Sequence, residues 1–413
     1  MIFIKIESIL EKISFPRFSG TSGEKTAANY ISIFLRKNGY SLSEEKFYAP
    51  NPRLNNVFLV IKLLLLSLIS FSFFSNALLL VILFASIFIV LKIFDNNLKL
   101  KISKIRSKNI LAFKKTRKNK KILLIAAHYD SANAMRPFLR KNLAFIQLFF
   151  LLLRVFQYCI FILIPTIFVV YVFHFQFLLG ILQSFSFIWI IIGSALVFIS
   201  VAMIFLMISS KQILTAGADD NASGISILLY LSQLVEKMKL NLDVRFLFLS
   251  AEEIGCYGSK EWIKRHADLS RSAIVLNIDA MSRGDYFVIT RGWNYLFKIH
   301  ANNTLIETLK AVLHGKKYFE TWNMSFGSDD HIFAKNGFAT IGVMRANKKQ
   351  FNSLDKFLLN FFRVPLKNNF LPSAEWINTE NDDLENVDFK KLNESKNVVL
   401  RLLQRLDQLT VAT

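Results

Sequence analysis

The chain has 413 residues, a formal net charge of +21, 53% hydrophobic residues and only 20% charged ones. An ordinary soluble surface carries more charge than that, and the 41 Phe residues crowd into two long apolar tracts. Two Cys exclude a disulfide framework beyond one bridge, and no RNP-like or helix-turn-helix pattern supports nucleic acid as the partner of the basic excess.

Residues 1–14 alternate charged and apolar side chains (Lys5, Glu7, Glu11, Lys12), which reads as an amphipathic helix and not as a signal peptide. Gly20-Thr21-Ser22-Gly23-Glu24 forms a turn into a capped helix, with helical spacing from Ala27 to Lys37. Gly39 stops it, and Tyr40–Phe47 reads as a strand. Residues 57–94 are almost wholly apolar, about twice the length of one membrane crossing, and predict a helical hairpin over 57–73 and 77–94. Residues 95–142 are dense in Lys and Arg and contain two strands, Asn109–Phe113 and Ile122–Ala127. Residues 143–210 are apolar again, interrupted by Arg154, Pro165 and a weaker middle from Gln176 to Ser186. They predict crossings over 155–174 and 187–208. In 211–413, helices over 223–237, 258–266 and 388–408 alternate with strands Leu242–Leu249, Ala273–Ile278 and Ala339–Val343.

This alternation predicts an α/β fold: a mainly parallel mixed sheet flanked by helices. Its pieces are 1–56, 95–142 and 211–413, and transmembrane hairpins are inserted at 57–94 and 143–210. All three pieces then lie on one side of a membrane, so each tract crosses an even number of times. The basic residues of 95–142, against hairpin tips with no Lys or Arg, place that side in the cytoplasm and make membrane lipid a partner. Cys159 lies in an apolar tract and Cys256 in a catalytic-looking loop, so both are expected to be free.

Four motifs carry the chemistry, each after a strand or before a helix. His128-Tyr129-Asp130-Ser131 follows 122–127. Gly217 to Gly224 includes Asp219-Asp220-Asn221 before a helix. Ala251-Glu252-Glu253-Ile254-Gly255 follows 242–249, and Asn277-Ile278-Asp279-Ala280 follows 273–278. Alone, each has a plain structural reading as a helix cap or a solvated loop. Together they put His, Asp, Glu and Asp, in that order, each after a strand or before a helix, where open α/β sheets place their sites. Mixed nitrogen and oxygen donors suit zinc, and a bridging carboxylate suits two metals.

These motifs resemble the co-catalytic zinc peptidase family of bacterial leucyl aminopeptidases, glutamate carboxypeptidases and glutaminyl cyclases. The likeness includes Pro16-Arg17, Gly20-Thr21 and Gly337. The resemblance implies that His128 and Asp279 hold one zinc, Glu253 holds a second and Asp220 bridges them. Glu252 would be the general base, and Asp130 would orient His128. The chain departs from the family at Asn378, where a zinc-binding His is expected. It also departs at Ser328-Asp329-Asp330-His331, where the His falls one residue late. His331 is the candidate to complete the second zinc site.

The reading is then a membrane-anchored zinc exopeptidase of the aminopeptidase type, acting on peptides. One alternative is a membrane scaffold or binding protein of the same fold with impaired catalysis. Another is a glutaminyl-cyclase-like enzyme, which needs one zinc. Nothing in the sequence fixes an oligomeric state.

Overall fold

The computed structural model describes residues 3–74, 84, 87–88, 99, 101–114, 120–134, 186–208, 213–293, 298–323, 328–350 and 370–411. They fall into two compact units. The first comprises Met1–Phe47, Arg106–Arg136 and Gln212–Thr413, and the second Tyr48–Ile105 and Pro137–Lys211.

The first unit is built on a sheet of strands β1 (Ser41–Pro50), β2 (Lys104–Phe113), β3 (Ile122–His128), β4 (Asp243–Leu249), β5 (Ala273–Ile278), β6 (Tyr286–Trp293), β7 (Ile299–His300), β8 (Tyr318–Asn323), β9 (Ala339–Gln350) and β10 (Phe370–Ser373). The order is β1-β2-β4-β3-β5-β9-β6-β7, with β10 on β9 and β8 on β6. The centre is parallel: β3 pairs with β4 and β5, and β5 with β9. β2 joins β4 antiparallel, and β6 joins β9 antiparallel. Parallel central strands are covered on both faces, so their sequences read as unbroken apolar runs.

Alternation within each strand divides the core. Leu123, Ile125 and Ala127 of β3 and Val244, Phe246 and Phe248 of β4 face one layer. That layer includes Ile9 of helix Ile6–Ile13, Ile31 of helix Ser22–Lys37, Leu228 of helix Gly224–Val235 and Leu402 of helix Phe389–Val411. Leu124 and Ala126 with Leu247 and Leu249 face the other, under Trp262 and Ile263 of helix Tyr257–Arg265 and Phe333 of helix Asp329–Lys335. The register sets His128 opposite Leu249, and β5 runs alongside β3 as far as Asn277 opposite Ala126. The residues just past β3, β4 and β5 therefore emerge at one edge of the sheet.

The mixed α/β sheet flanked by helices is present, but the inserted transmembrane hairpins are corrected. Among the described residues, no helix is long and apolar enough to cross a membrane. In the second unit, helix Pro52–Phe74 packs against helix Ser186–Ile208. Leu63, Leu66 and Ile69 are fully buried there, and Gly193 lets the Phe71 ring come close, since a Cβ at that position would lie 3.0 Å from it. A long apolar run signals burial as readily as contact with lipid, and the first helix begins among the polar residues Arg53, Asn55 and Asn56. The multi-pass architecture, the even number of crossings, membrane lipid as a partner and the cytoplasmic placement of the catalytic part all rested on those hairpins and are withdrawn with them. The expected helix 77–94, apart from residues 84, 87 and 88, and the expected crossing 155–174 lie outside the described residues, as do Arg154, Cys159 and His174.

Candidate metal centre

At the sheet edge, His128 ends β3 and is almost fully buried. Its Nε2 lies 3.1 Å from Asp220 Oδ1 and 3.6 Å from Asp279 Oδ1. Its Nδ1 lies 3.2 Å from the Asp130 carbonyl oxygen and 3.6 Å from the Asp130 carboxylate. A partner on Nδ1 fixes which nitrogen faces the centre, as in metal-binding histidines generally.

Asp130 is a hub. Its carboxylate accepts hydrogen bonds from the Ser19 hydroxyl at 2.8 Å and from the backbone N–H of Glu252 and of Glu253, each at 3.2 Å. One carboxylate thus sets both the histidine and the Glu pair that follows β4. Ala251, just before the pair, has a φ of 59°.

Asp220 sits in the irregular turn Ala218–Ser223, ahead of helix Gly224–Val235. The turn is held from beneath. Asn221 donates to the Ile278 carbonyl at 2.8 Å, and the Asp382 carboxylate accepts from the N–H groups of Asp219 (2.7 Å) and Asp220 (3.2 Å). Asp219 points away from the centre. Its carboxylate accepts from the Ser282 N–H and hydroxyl and from the Trp376 indole. In sequence Asp219 and Asp220 are equivalent; the structure assigns the first to the scaffold.

Two donor groups therefore share His128: His128–Asp220–Asp279 and His128–Glu252–Glu253, each with ligand atoms within 4.8 Å of one another. His128 Nε2, Glu253 Oε1 and Asp279 Oδ1 are buried without a hydrogen-bond partner. Buried acceptors crowded together are costly unless a cation lies among them. Zinc with bonds of about 2.0 Å in a tetrahedron has edges of roughly 3.3 Å, close to the two His128–Asp separations. The residues fit one His128-centred zinc site with two alternative ligand sets.

His331 stands outside both groups. Its ring is tilted on Trp293, 6.3 Å between centroids, and neither nitrogen has a hydrogen-bond partner. Burial, then Lys335 and Lys260, hold its pKa below the usual value. Asn378 has a φ of 58° and a buried Oδ1 without a partner. Cys256 forms no disulfide and is buried, with its thiol 3.6 Å from Glu252 Oε1.

The acids are strained by burial. Glu252 and Glu253 are both pushed well above the carboxylate range, chiefly by loss of water. Asp329 is a further contributor for Glu252, and Asp220 for Glu253. Asp329, fully buried, rises to about 7 for the same first reason, and so does Asp382. Arg17, Asp329 and Asp382 are contributors that motif reading did not assign. Their partners lie far away in sequence, and the only signals were Pro16-Arg17 and the late acidic stretches.

These shifts predict how the metal-free protein responds to pH. Asp329 and Asp382 bind protons more tightly folded (about 7) than unfolded (3.8), so folding takes up protons. Stability then falls as pH rises through that window and stays low above it. His128, whose pKa is raised, contributes with the same sign. Melting followed by circular dichroism should show the metal-free Tm dropping across the window, with the largest gain from added zinc at its alkaline end, where zinc no longer competes with protons. A metal-free Tm that is flat or rising over that range contradicts this account of the centre.

The chain matches peptidase family M28 over residues 200–403. It is 31% identical over 78 residues to the alkaline phosphatase isozyme conversion protein of Escherichia coli, which covers 18% of this chain and 23% of that protein. The chain spans about a quarter of the curated relatives it matches. Among solved structures, a Zn-dependent exopeptidase from Parabacteroides distasonis aligns with a TM-score of 0.53 at 13% identity, covering 97% of this chain and 98% of that one. The glutaminyl cyclase of Fimbriiglobus ruber aligns with a TM-score of 0.52 at 11% identity, covering 98% and 97%.

The fold is that of the M28 peptidases, and its donor cluster is one that could hold zinc. The chain carries an M28-peptidase-like fold, related to bacterial aminopeptidases, carboxypeptidases and glutaminyl cyclases. The reading as a membrane-anchored aminopeptidase gives way on two counts: no described helix can cross a membrane, and the donors form one His128-centred site.

Proposed function

We propose that the chain is a glutaminyl-cyclase-like enzyme with a single zinc, closing the N-terminal glutaminyl residue of a peptide into a lactam with release of ammonia. The observation that carries this is the single His128-centred donor cluster, in a chain with Asn378 where the resemblance calls for a second-zinc histidine. A carboxamide oxygen is a far poorer zinc ligand than an imidazole.

In this reading His128, Asp220 and Asp279 hold the zinc, and Asp130 keeps His128 in the ligating tautomer. When bound, zinc supplies Lewis-acid polarisation of a carbonyl oxygen. The chain's own residues handle the protons. The substrate's α-amine must lose a proton before its nitrogen bonds to the side-chain carboxamide carbon, and the departing amide nitrogen must gain one. Glu252 is half-buried and holds a proton far more readily than an ordinary carboxylate, chiefly through loss of water. It takes the first proton and returns it to the leaving nitrogen, so C–N bond formation and C–N cleavage balance without any other reactant.

The test is a pair of peptides differing only in the N-terminal residue, Gln or Leu, incubated with purified zinc-loaded protein. The expected outcome is ammonia release and lactam formation from the Gln peptide, with the Leu peptide left intact. Release of free leucine with no cyclisation of the Gln peptide would overturn the reading.

A further inference from the structure

The loop that carries Glu252 and Glu253 takes an unusual backbone course. Ala251 before the pair and Cys256 after it are left-handed, with φ of 59° and 55°, and neither is a glycine. Within the loop, the Glu252 carbonyl accepts from the N–H groups of Gly255 and Cys256, each at 2.8 Å. Left-handed residues that carry a Cβ persist only where the surrounding structure holds them. Here the hold comes from outside the loop, at its two ends.

One side chain, Asn109, reaches both ends. It lies on β2, one residue past the pairing of Ile110 with Phe248, and is almost fully buried. Its Oδ1 accepts from the Ser250 N–H at 3.2 Å, and its Nδ2 donates to the Gly258 carbonyl at 2.8 Å. The first residue past β4 is thus joined to the first turn of helix Tyr257–Arg265, and the loop is closed between them. A carboxamide suits this because it presents an acceptor and a donor on one group. Gly258 permits the close approach: a Cβ there would lie 2.1 Å from the Ser250 carbonyl oxygen and 2.7 Å from Asn109 Oδ1. The Ser250 hydroxyl is anchored as well, donating to the buried Glu24 carboxylate at 2.6 Å.

We propose that Asn109 is a positioning residue: it clamps Ser250 to Gly258 and so holds Glu252 where it carries protons. The effect on turnover rests on the proton-carrying role given to Glu252 above. The clamp itself can be read without any reaction. Cys256 is the reporter, because it is buried inside the clamped loop and is reached by an alkylating reagent only when that loop opens.

The test uses the full-length, zinc-loaded chain carrying Asn109→Ala, Gly258→Ala or Ile110→Ala, each treated with iodoacetamide well below its Tm. Mass spectrometry of the peptide bearing Cys256 separates its labelling from that of Cys159. Ile110 packs in the core layer on the other side of the sheet from helix Tyr257–Arg265, so Ile110→Ala weakens the sheet without touching the clamp. Each lost hydrogen bond favours opening by roughly twofold to tenfold, so Cys256 alkylation should rise about tenfold in Asn109→Ala. Gly258→Ala wedges the loop ends apart with Asn109 intact and should show a comparable rise. Ile110→Ala should melt lower yet label at the wild-type rate. Wild-type labelling in Asn109→Ala, or an equal rise in Ile110→Ala, overturns the proposal. On the Gln peptide, Asn109→Ala should lower kcat by roughly tenfold to a hundredfold, the cost of misplacing a group by about an ångström, with KM and zinc content near wild type. An unchanged kcat, or a change confined to KM, also overturns it. If Asn109→Ala does not fold, Gly258→Ala decides by the same two readouts. Failure of both to fold makes the contact a requirement of folding and overturns the positioning role. A wild-type protein that leaves the Gln peptide unchanged sinks the cyclase reading, and the labelling test of the clamp still stands.

Discussion

Glu252→Gln is expected to reduce cyclisation by roughly a hundredfold to ten-thousandfold, the range typical of a lost general acid–base group, while zinc content stays at its wild-type level. The substitution is nearly isosteric, and the surroundings favour its neutrality. Glu252 is half-buried beside Asp329, Asp279 and Asp220, so a neutral side chain relieves repulsion. The Cys256 thiol, 3.6 Å from Glu252 Oε1, can still face a carboxamide oxygen. The backbone N–H of Glu252, which binds Asp130, is unchanged by the substitution. A zinc-loaded protein that melts at or above the wild-type temperature but turns over almost nothing is therefore the expected phenotype. Zinc lost together with activity would make Glu252 a ligand, and the proton-carrying role would have to pass to another acid.

His128→Ala is expected to remove the metal site itself. Both donor groups include His128, so neither can substitute for the other when it is absent. Zinc affinity, measured by competition with a chelator, should fall by more than the roughly 10–100-fold that losing an outer partner of a metal ligand costs. Asp130→Asn is the internal comparison and should fall within that range, because it disturbs the Nδ1 side of His128 without removing the donor. The same loss appears in stability. Zinc at about a thousandfold its Kd stabilises a protein by roughly 4 kcal/mol, and His128→Ala should lose nearly all of that increment. Wild-type zinc affinity in His128→Ala would show that the metal lies elsewhere.

The parts of this protein that its sequence announces are those made of local signals. Ile122–Ala127, Leu242–Leu249 and Ala273–Ile278 are apolar runs bounded by polar residues, and they form the central parallel strands within a residue of their expected bounds. His128, Asp220, Glu252, Glu253 and Asp279 stand out because each lies just past a strand or before a helix, and the structure brings all five together. What stays hidden depends on partners far off along the chain. Asp382 gains its place only by accepting from Asp219 and Asp220, and Arg17 only by reaching Ala216 and Gly217. Strand Tyr286–Trp293 carries aromatic and β-branched residues that could have marked it. Its neighbour Tyr318–Asn323 is short but carries Tyr318, Phe319 and Trp322, and is tied in part by the pairing of Arg291 with Glu320. The apolar tracts misled because apolarity reports exclusion from water and does not name what does the excluding.

The position of β3 has a consequence for how the protein is made. Both of its edges are filled by parallel strands, β4 and β5, that come much later in the chain. As the nascent chain emerges, the run Leu123–Ala127 is complete long before either neighbour exists, and its backbone N–H and carbonyl groups have no ladder to join. Such an apolar strand, open on two sides, is a template for pairing with other chains. The Asp220 turn waits longer still, since its N–H groups are capped by Asp382. Assembly of the metal centre is therefore among the last events of folding, and the long interval before it is when newly synthesised copies are most exposed to aggregation and in need of chaperone shelter.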